Sequence, residues 1–87
     1  MKAPEFLGKI LAEETGKKLI HCSGMIRLAF KDANKDPDTP IYKEIKEVIE
    51  NYLKKRLDNV KIQNSDGIIR KLVSELTKNQ SIFSLAI

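Results

Sequence analysis

Histidine and cysteine occur once each in this 87-residue chain, as the neighbours His21 and Cys22. A cysteine nucleophile needs a base beside its sulfur, and a structural zinc ion takes four nitrogen or sulfur ligands. Neighbouring positions on a helix point about 100° apart, so these two side chains do not face each other if the stretch is helical. We expect Cys22 to be a buried thiol and His21 a surface residue, with no catalytic, metal or cofactor site here.

Other patterns that carry chemistry are missing from the sequence. The glycines are scattered at positions 8, 16, 24 and 67, so they form no glycine-rich phosphate loop. The stretch that begins at Asp32 has Pro37 at its sixth position, where a calcium-binding EF-hand loop needs glycine. The sequence therefore predicts that the protein is not an enzyme.

Basic side chains are concentrated in the C-terminal half. The formal net charge is +4, and the whole excess comes from residues 54–78, which hold seven basic and three acidic side chains. A basic helix face can contact phosphates, which makes nucleic-acid binding one hypothesis. The same concentration of basic side chains is also expected without a ligand, if the side chains are solvated or lie near the C-terminal end of a helix, where positive charge complements the helix dipole. The candidate contacts to an anion or nucleic acid are Lys54, Lys55, Arg56, Arg70, Lys71 and Lys78.

A long central helix is predicted from Thr39 to Val60. Thr39 is suited to cap its first turn, and Pro40 fits the first helical position. Lys46 and Arg56 fall within its apolar arc, so we expect each to extend its charged end to water. The alternative for Arg56 is that it pairs with a carboxylate across an interface or binds an anion. The apolar residues recur at spacings of three and four and cover about half of the circumference: Ile41, Ile45, Val48, Ile49, Tyr52, Leu53, Leu57 and Val60.

Three shorter helices are predicted around this one. The first begins near Pro4, contains Gly8, and ends at Gly16. Gly8 weakens this helix unless another helix approaches closely there. The stretch 17–33 is interpreted as one helix, bent near the glycine at position 24, although residues 17–23 are also compatible with an extended conformation. The last helix is capped by Asn64 or Ser65 and ends at Asn79.

These elements predict an all-α fold: a small four-helix bundle-like domain that spans residues 1–87 and has a short apolar C-terminal tail. The tail, SIFSLAI, either closes the core or docks on a partner. A chain this short builds a marginal core, which favours a homodimer or another protein partner. The candidate partner surface is Met25, Leu28, Ile82, Phe83 and Leu85.

The sequence thus favours a small helical module for protein interaction or regulation, with nucleic-acid binding as the alternative. We expect no cofactor. No apolar run is long enough for a membrane span, and the N-terminus lacks the pattern of a signal peptide. A cytoplasmic protein is therefore expected.

Overall fold

Four helices pack around one apolar core in the computed structural model, which describes residues 3–81. Helix α1 is Ala3–Thr15 and helix α2 is Leu19–Asp32. Helix α3 runs over residues 42–59, and helix α4 is Ser65–Lys78. The predicted all-α bundle-like fold is confirmed. The tail residues of the predicted partner surface, Ile82, Phe83 and Leu85, lie outside the described residues.

The core is built from one apolar face of each helix. All four helices contribute side chains that are almost fully removed from water, and no buried polar or charged side chain accompanies them among the described residues. Burial of these apolar groups is the main term that stabilises the fold. The largest buried side chains are Phe30, Leu7, Leu11, Ile26, Ile45, Ile49, Leu53, Leu57, Leu72 and Leu76.

Helices α1 and α2 form an antiparallel pair whose backbones come close at Gly8. A Cβ atom placed on Gly8 would lie 3.0 Å from the Ser23 Cβ and 3.1 Å from the Ser23 Cα. Further along the pair, the Arg27 guanidinium donates to the Glu5 carboxylate. Another helix therefore does approach closely at Gly8, which is the condition under which the glycine need not weaken the packing of α1. At the end of α1, Gly16 adopts a φ of 72° and its amide donates to the Ala12 carbonyl, as a glycine stop requires.

Residues 19–23, for which the sequence left both a helical and an extended conformation open, are part of helix α2. It is helical from Leu19 and continues through Gly24 without interruption. The Ser23 hydroxyl donates to the Leu19 carbonyl at 3.0 Å, so it satisfies a helical carbonyl instead of capping a shorter helix. The predicted start at residue 17 was two residues early.

Helix α3 begins later than predicted, because Thr39 does not cap it. The Thr39 hydroxyl donates to the Asp36 carboxylate at 3.1 Å, within the preceding loop. The first helical residue is Tyr42, and the Glu44 carboxylate accepts from the Ile41 amide at 3.2 Å. A carboxylate inside the first turn therefore satisfies the backbone where the sequence analysis placed a threonine.

The middle of α3 is a π-helix. Two α-helical segments, Tyr42–Glu47 and Lys54–Asn59, flank the π segment Val48–Leu53. At its end the Lys54 amide donates to the Ile49 carbonyl, five residues back. The wider turn changes which side chains of the second half of α3 face the core.

Helix α4 begins and ends where it was predicted to, but neither Asn64 nor Ser65 caps its first turn as predicted. Asn64 is the residue before α4, but its side chain makes no capping hydrogen bond, because the residue is in the left-handed conformation with a φ of 58°. The Ser65 hydroxyl donates instead to the Asp58 carboxylate. Asn79 ends α4, and its side-chain amide donates to the Glu75 carbonyl at 2.9 Å.

Candidate binding groove

A groove of about 570 Å³ lies between α2 and the end of α3. Helix α2 contributes Ile20, Met25 and Leu28 to its lining, and the end of α3 contributes Arg56 and Val60. The side chains that line it are mainly apolar, which is typical of surfaces that bind apolar ligands or protein segments.

The groove gathers most of the large apolar side chains that the described chain exposes. Ile20 is 75% exposed, Val60 55% and Leu28 46%. Leu19, at the start of α2, is a further exposed apolar residue beside Ile20. Scattered single apolar residues are normal on a surface, whereas a contiguous apolar patch is a common feature of interaction surfaces.

Part of this groove was predicted from the sequence. Met25 and Leu28, two of the predicted partner-surface residues, both line it. Ile20 was missed, although it repeats with Gly24 and Leu28 at four-residue intervals on the side of α2 away from the core. Val60 was assigned to the core stripe of α3 but is more than half exposed.

Arg56 forms the charged end of the groove. Its Nε atom donates to Asp32 Oδ2 at 2.7 Å and its Nη2 atom donates to Oδ1 at 2.9 Å. Such a two-point contact is the strongest arrangement of this ion pair. The hydrogen bond from Arg56 lowers the pKa of the Asp32 carboxyl and raises the pKa of the guanidinium. Arg56 therefore pairs with a carboxylate of its own chain, the last residue of α2.

The other end of the groove is basic. Val60 also lines a neighbouring depression, which contains Lys17 and Lys61. Within residues 3–81, no carboxylate lies within ion-pair distance of either ammonium group, and Glu14 is the one acidic residue in the lining. The first turn of α2 starts beside this depression, with no acidic residue and no side-chain cap to offset its positive dipole end.

The six predicted anion contacts do not form one free basic surface. Lys54 lies 2.8 Å from Asp58 and 3.4 Å from Asp66, and its hydrogen bond to Asp58 raises its pKa. Lys71 and Lys78 share Glu75, at 3.3 and 3.6 Å.

The Glu75 carboxyl, which Lys71 and Lys78 share, has a lowered pKa, mainly because Lys71 donates a hydrogen bond to it. Arg56 is held by Asp32. Only Lys55 and Arg70, of the six, have no ion pair with a described carboxylate, and both are exposed.

Cys22 and His21 occupy different environments. Cys22 is fully buried, and its sulfur lies 3.9 Å from the Thr15 hydroxyl. His21 is exposed and lines the groove. The two side chains therefore do not form a nucleophile and base pair. This is the arrangement that their adjacent positions on a helix predicted.

The ion pair between Asp32 and Arg56 predicts a specific dependence of stability on pH. A carboxyl whose pKa is lower in the folded state stabilises that state above its unfolded pKa, and the contribution is lost as pH falls through the folded pKa. The relevant window therefore lies below about pH 4. Asp32→Asn should reduce the slope of the free energy of unfolding against pH in this window. Arg56→Gln should remove most of the same slope, because Arg56 is the main cause of the lowered pKa, and the double variant should add nothing beyond Asp32→Asn.

Urea unfolding measured from about pH 7 to about pH 2.5 tests this expectation. Asp58 and Glu75 also have lowered pKa values but are unchanged in all variants, so the difference between curves isolates Asp32. If Arg56→Gln retained the slope of the parent protein, the ion pair would not form in solution.

No protein-family model, curated protein or solved structure matches the chain. Within residues 3–81, no helix has both the length and the apolar character needed to cross a membrane. The same part of the chain contains no group of three or more histidine, cysteine, aspartate or glutamate side chains arranged to hold a metal ion.

Proposed function

We propose that this protein is a small interaction module that links to or regulates another protein through the groove between α2 and α3. The observation that carries the proposal is the clustering of Ile20, Leu28 and Val60, each about half exposed or more, in one concave apolar surface. Burial of such a surface against a partner releases water from apolar area and so favours association.

The lining suits a protein segment better than a small polar substrate. Its polar groups are few, and the strongest of them, Arg56, is occupied by Asp32. Met25 adds an unbranched, polarisable side chain that adjusts to different apolar shapes. No catalytic step forms part of the proposal, and the proposed location is the cytoplasm, where a single free thiol remains reduced.

Nucleic-acid binding remains the alternative proposal and has less support. Neutralisation of Lys54, Arg56, Lys71 and Lys78 by nearby carboxylates weakens the attraction of this face to phosphates. A phosphate would also lie close to Asp58, Asp66 or Glu75, which repel it.

Site-specific photocrosslinking in the cells that produce the protein tests the proposed function. A photoreactive side chain at position 20, in the groove, should give one discrete adduct. The same group at position 74, an exposed serine on α4, should not. The adduct at position 20 should disappear when Leu28 and Val60 are both changed to serine, because these substitutions remove apolar area from the groove.

Both positions are exposed, so adducts that arise from random collision would appear at both. An adduct of twice the chain's own mass would identify the partner as a second copy. Equal labelling at positions 20 and 74, or labelling that survives the serine substitutions, would contradict the proposed function.

A further inference from the structure

We propose that the groove binds an amphipathic helix whose apolar side chains contact Ile20, Leu28 and Val60 and whose acidic residues lie over Lys17 and Lys61. This inference rests on the proposed function and adds the chemical class of the partner segment.

The dimensions of the apolar surface fit a short helix. Ile20 and Leu28 are eight residues apart on α2, and a rise of 1.5 Å per residue separates them by about 12 Å along the helix axis. Apolar anchors at positions i, i+4 and i+7 of a bound helix span about 10 Å, nearly the same length. Val60, from the end of α3, contributes apolar contact from the opposite wall.

The charges at the two ends of the groove select an acidic segment. At one end, the Arg56 guanidinium is neutralised by Asp32. At the other end, Lys17 and Lys61 share a depression with Val60, and neither has a carboxylate partner among the described residues. The unpaired cations at this groove therefore lie at one end, where a carboxylate of the bound segment gains attraction and a cation is repelled.

A second copy of this chain fits these charges less well. In a symmetric dimer the same surface patch meets itself, so each groove offers its partner the charges that it already has. The carboxylate at the far end, Asp32, is held by Arg56. Two grooves placed face to face would offer Lys17 and Lys61 only the Glu14 carboxylate of the opposite depression, one acidic group for two cations.

Three synthetic peptides test the inference by fluorescence anisotropy with the whole protein. All are helical; the first has leucines at i, i+4 and i+7 and glutamates at both ends. The second replaces the glutamates by lysines, and the third replaces the leucines of the first by serines. At low salt the glutamate peptide should bind about tenfold more tightly than the lysine peptide, the difference expected from two exposed ion pairs. High salt should reduce this ratio.

Charge reversal identifies the residues responsible. In the double variant Lys17→Glu with Lys61→Glu, the preference should shift toward the lysine peptide. The control variant, Lys43→Glu with Arg70→Glu, changes the net charge equally at exposed positions outside the groove lining and should retain the preference for glutamate.

The outcomes separate the inference from the proposed function. Equal binding of the glutamate and lysine peptides, abolished by Ile20→Ser, would overturn the inference but leave the groove as a binding site. Equal binding of the serine peptide, or no binding of any peptide together with no adduct at position 20, would overturn both. Two further outcomes would also overturn the inference, because each assigns the groove to another occupant. One is binding to vesicles of anionic phospholipid that is tighter than binding to the glutamate peptide and is abolished by Ile20→Ser. The other is self-association of the protein that occludes Ile20.

Discussion

Truncation of Ile26 to alanine is expected to lower the free energy of unfolding by about 2–5 kcal/mol, whereas the same change at Ile20 should alter it by no more than about 0.5 kcal/mol. Both isoleucines lie in α2, but Ile26 is 1% exposed and Ile20 is 75% exposed. Loss of the buried side chain removes apolar contacts and leaves a cavity, and the exposed side chain has few contacts to lose. Urea unfolding of the two variants measures the difference.

The expected loss at Ile26 is large for this protein. A domain of 87 residues has a total stability of roughly 4–13 kcal/mol, so Ile26→Ala removes a substantial fraction of it. In a thermal melt, Tm should fall by more than about 10 °C. A loss above about 1.5 kcal/mol for Ile20→Ala would contradict the exposure of this residue. If that loss also depended on protein concentration, a second copy would be covering the groove.

Helical periodicity was sufficient to predict the four helices and most of the core. Ile45, Ile49 and Leu57, for example, are buried where spacings of three and four placed them. Helix ends were predicted less well, because a cap depends on which polar group is nearest in space. Thr39 is suited to capping by type, yet the Asp36 carboxylate accepts its hydroxyl hydrogen in the loop.

The π segment of α3 was not predicted, although its signal is present in the sequence. Ile45, Ile49, Leu53 and Leu57 are spaced by four residues throughout, and all are fully or almost fully buried. In a regular α-helix each four-residue step overshoots a full turn by about 40°, so the row would rotate away from the core. A wider turn, with hydrogen bonds five residues back, offsets this rotation and keeps Leu53 and Leu57 facing the core.

The groove was predicted only in part, because it depends on how separate helices meet. Periodicity placed Met25 and Leu28 outside the core stripe but could not show that the end of α3 lies beside them. Val60 and Lys61 reach this position where the chain leaves α3, and Lys61 adopts a left-handed φ of 59° there.

The pairing of Arg56 with Asp32 also depends on folding, since the two residues are 24 apart in the chain. The carboxylates that pair with Lys54, Lys71 and Lys78 lie three or four residues away on the same helix, so the signal for those pairs was present in the sequence.

The free energy of unfolding of the Gly8→Ala variant should be about 1–3 kcal/mol lower than that of the Gly24→Ala variant. This is the usual cost of overpacking a close contact. Both glycines lie inside helices, so each substitution gains about 1 kcal/mol of helix propensity. A Cβ at Gly24 has no neighbouring atom within 4 Å outside its own helix, so this variant should be more stable than the parent.

At Gly8 the new methyl group meets the backbone of α2. It would lie 3.0 Å from the Ser23 Cβ and 3.1 Å from both the Cα and the backbone nitrogen of Ser23. A helix backbone cannot rotate aside as a flexible side chain can, so α1 and α2 must separate and loosen the packing of Leu7 and Leu11 behind them.

The difference in free energy of unfolding between the two alanine variants therefore measures the cost of the contact between α1 and α2 at Gly8, because the gain in helix propensity is common to both. Gly8→Ala should range from nearly neutral to about 2 kcal/mol less stable than the parent. Equal stabilisation by both substitutions would show that the helices are further apart in solution than this contact requires. Helix α2, which forms one wall of the groove, is held against α1 at this close approach.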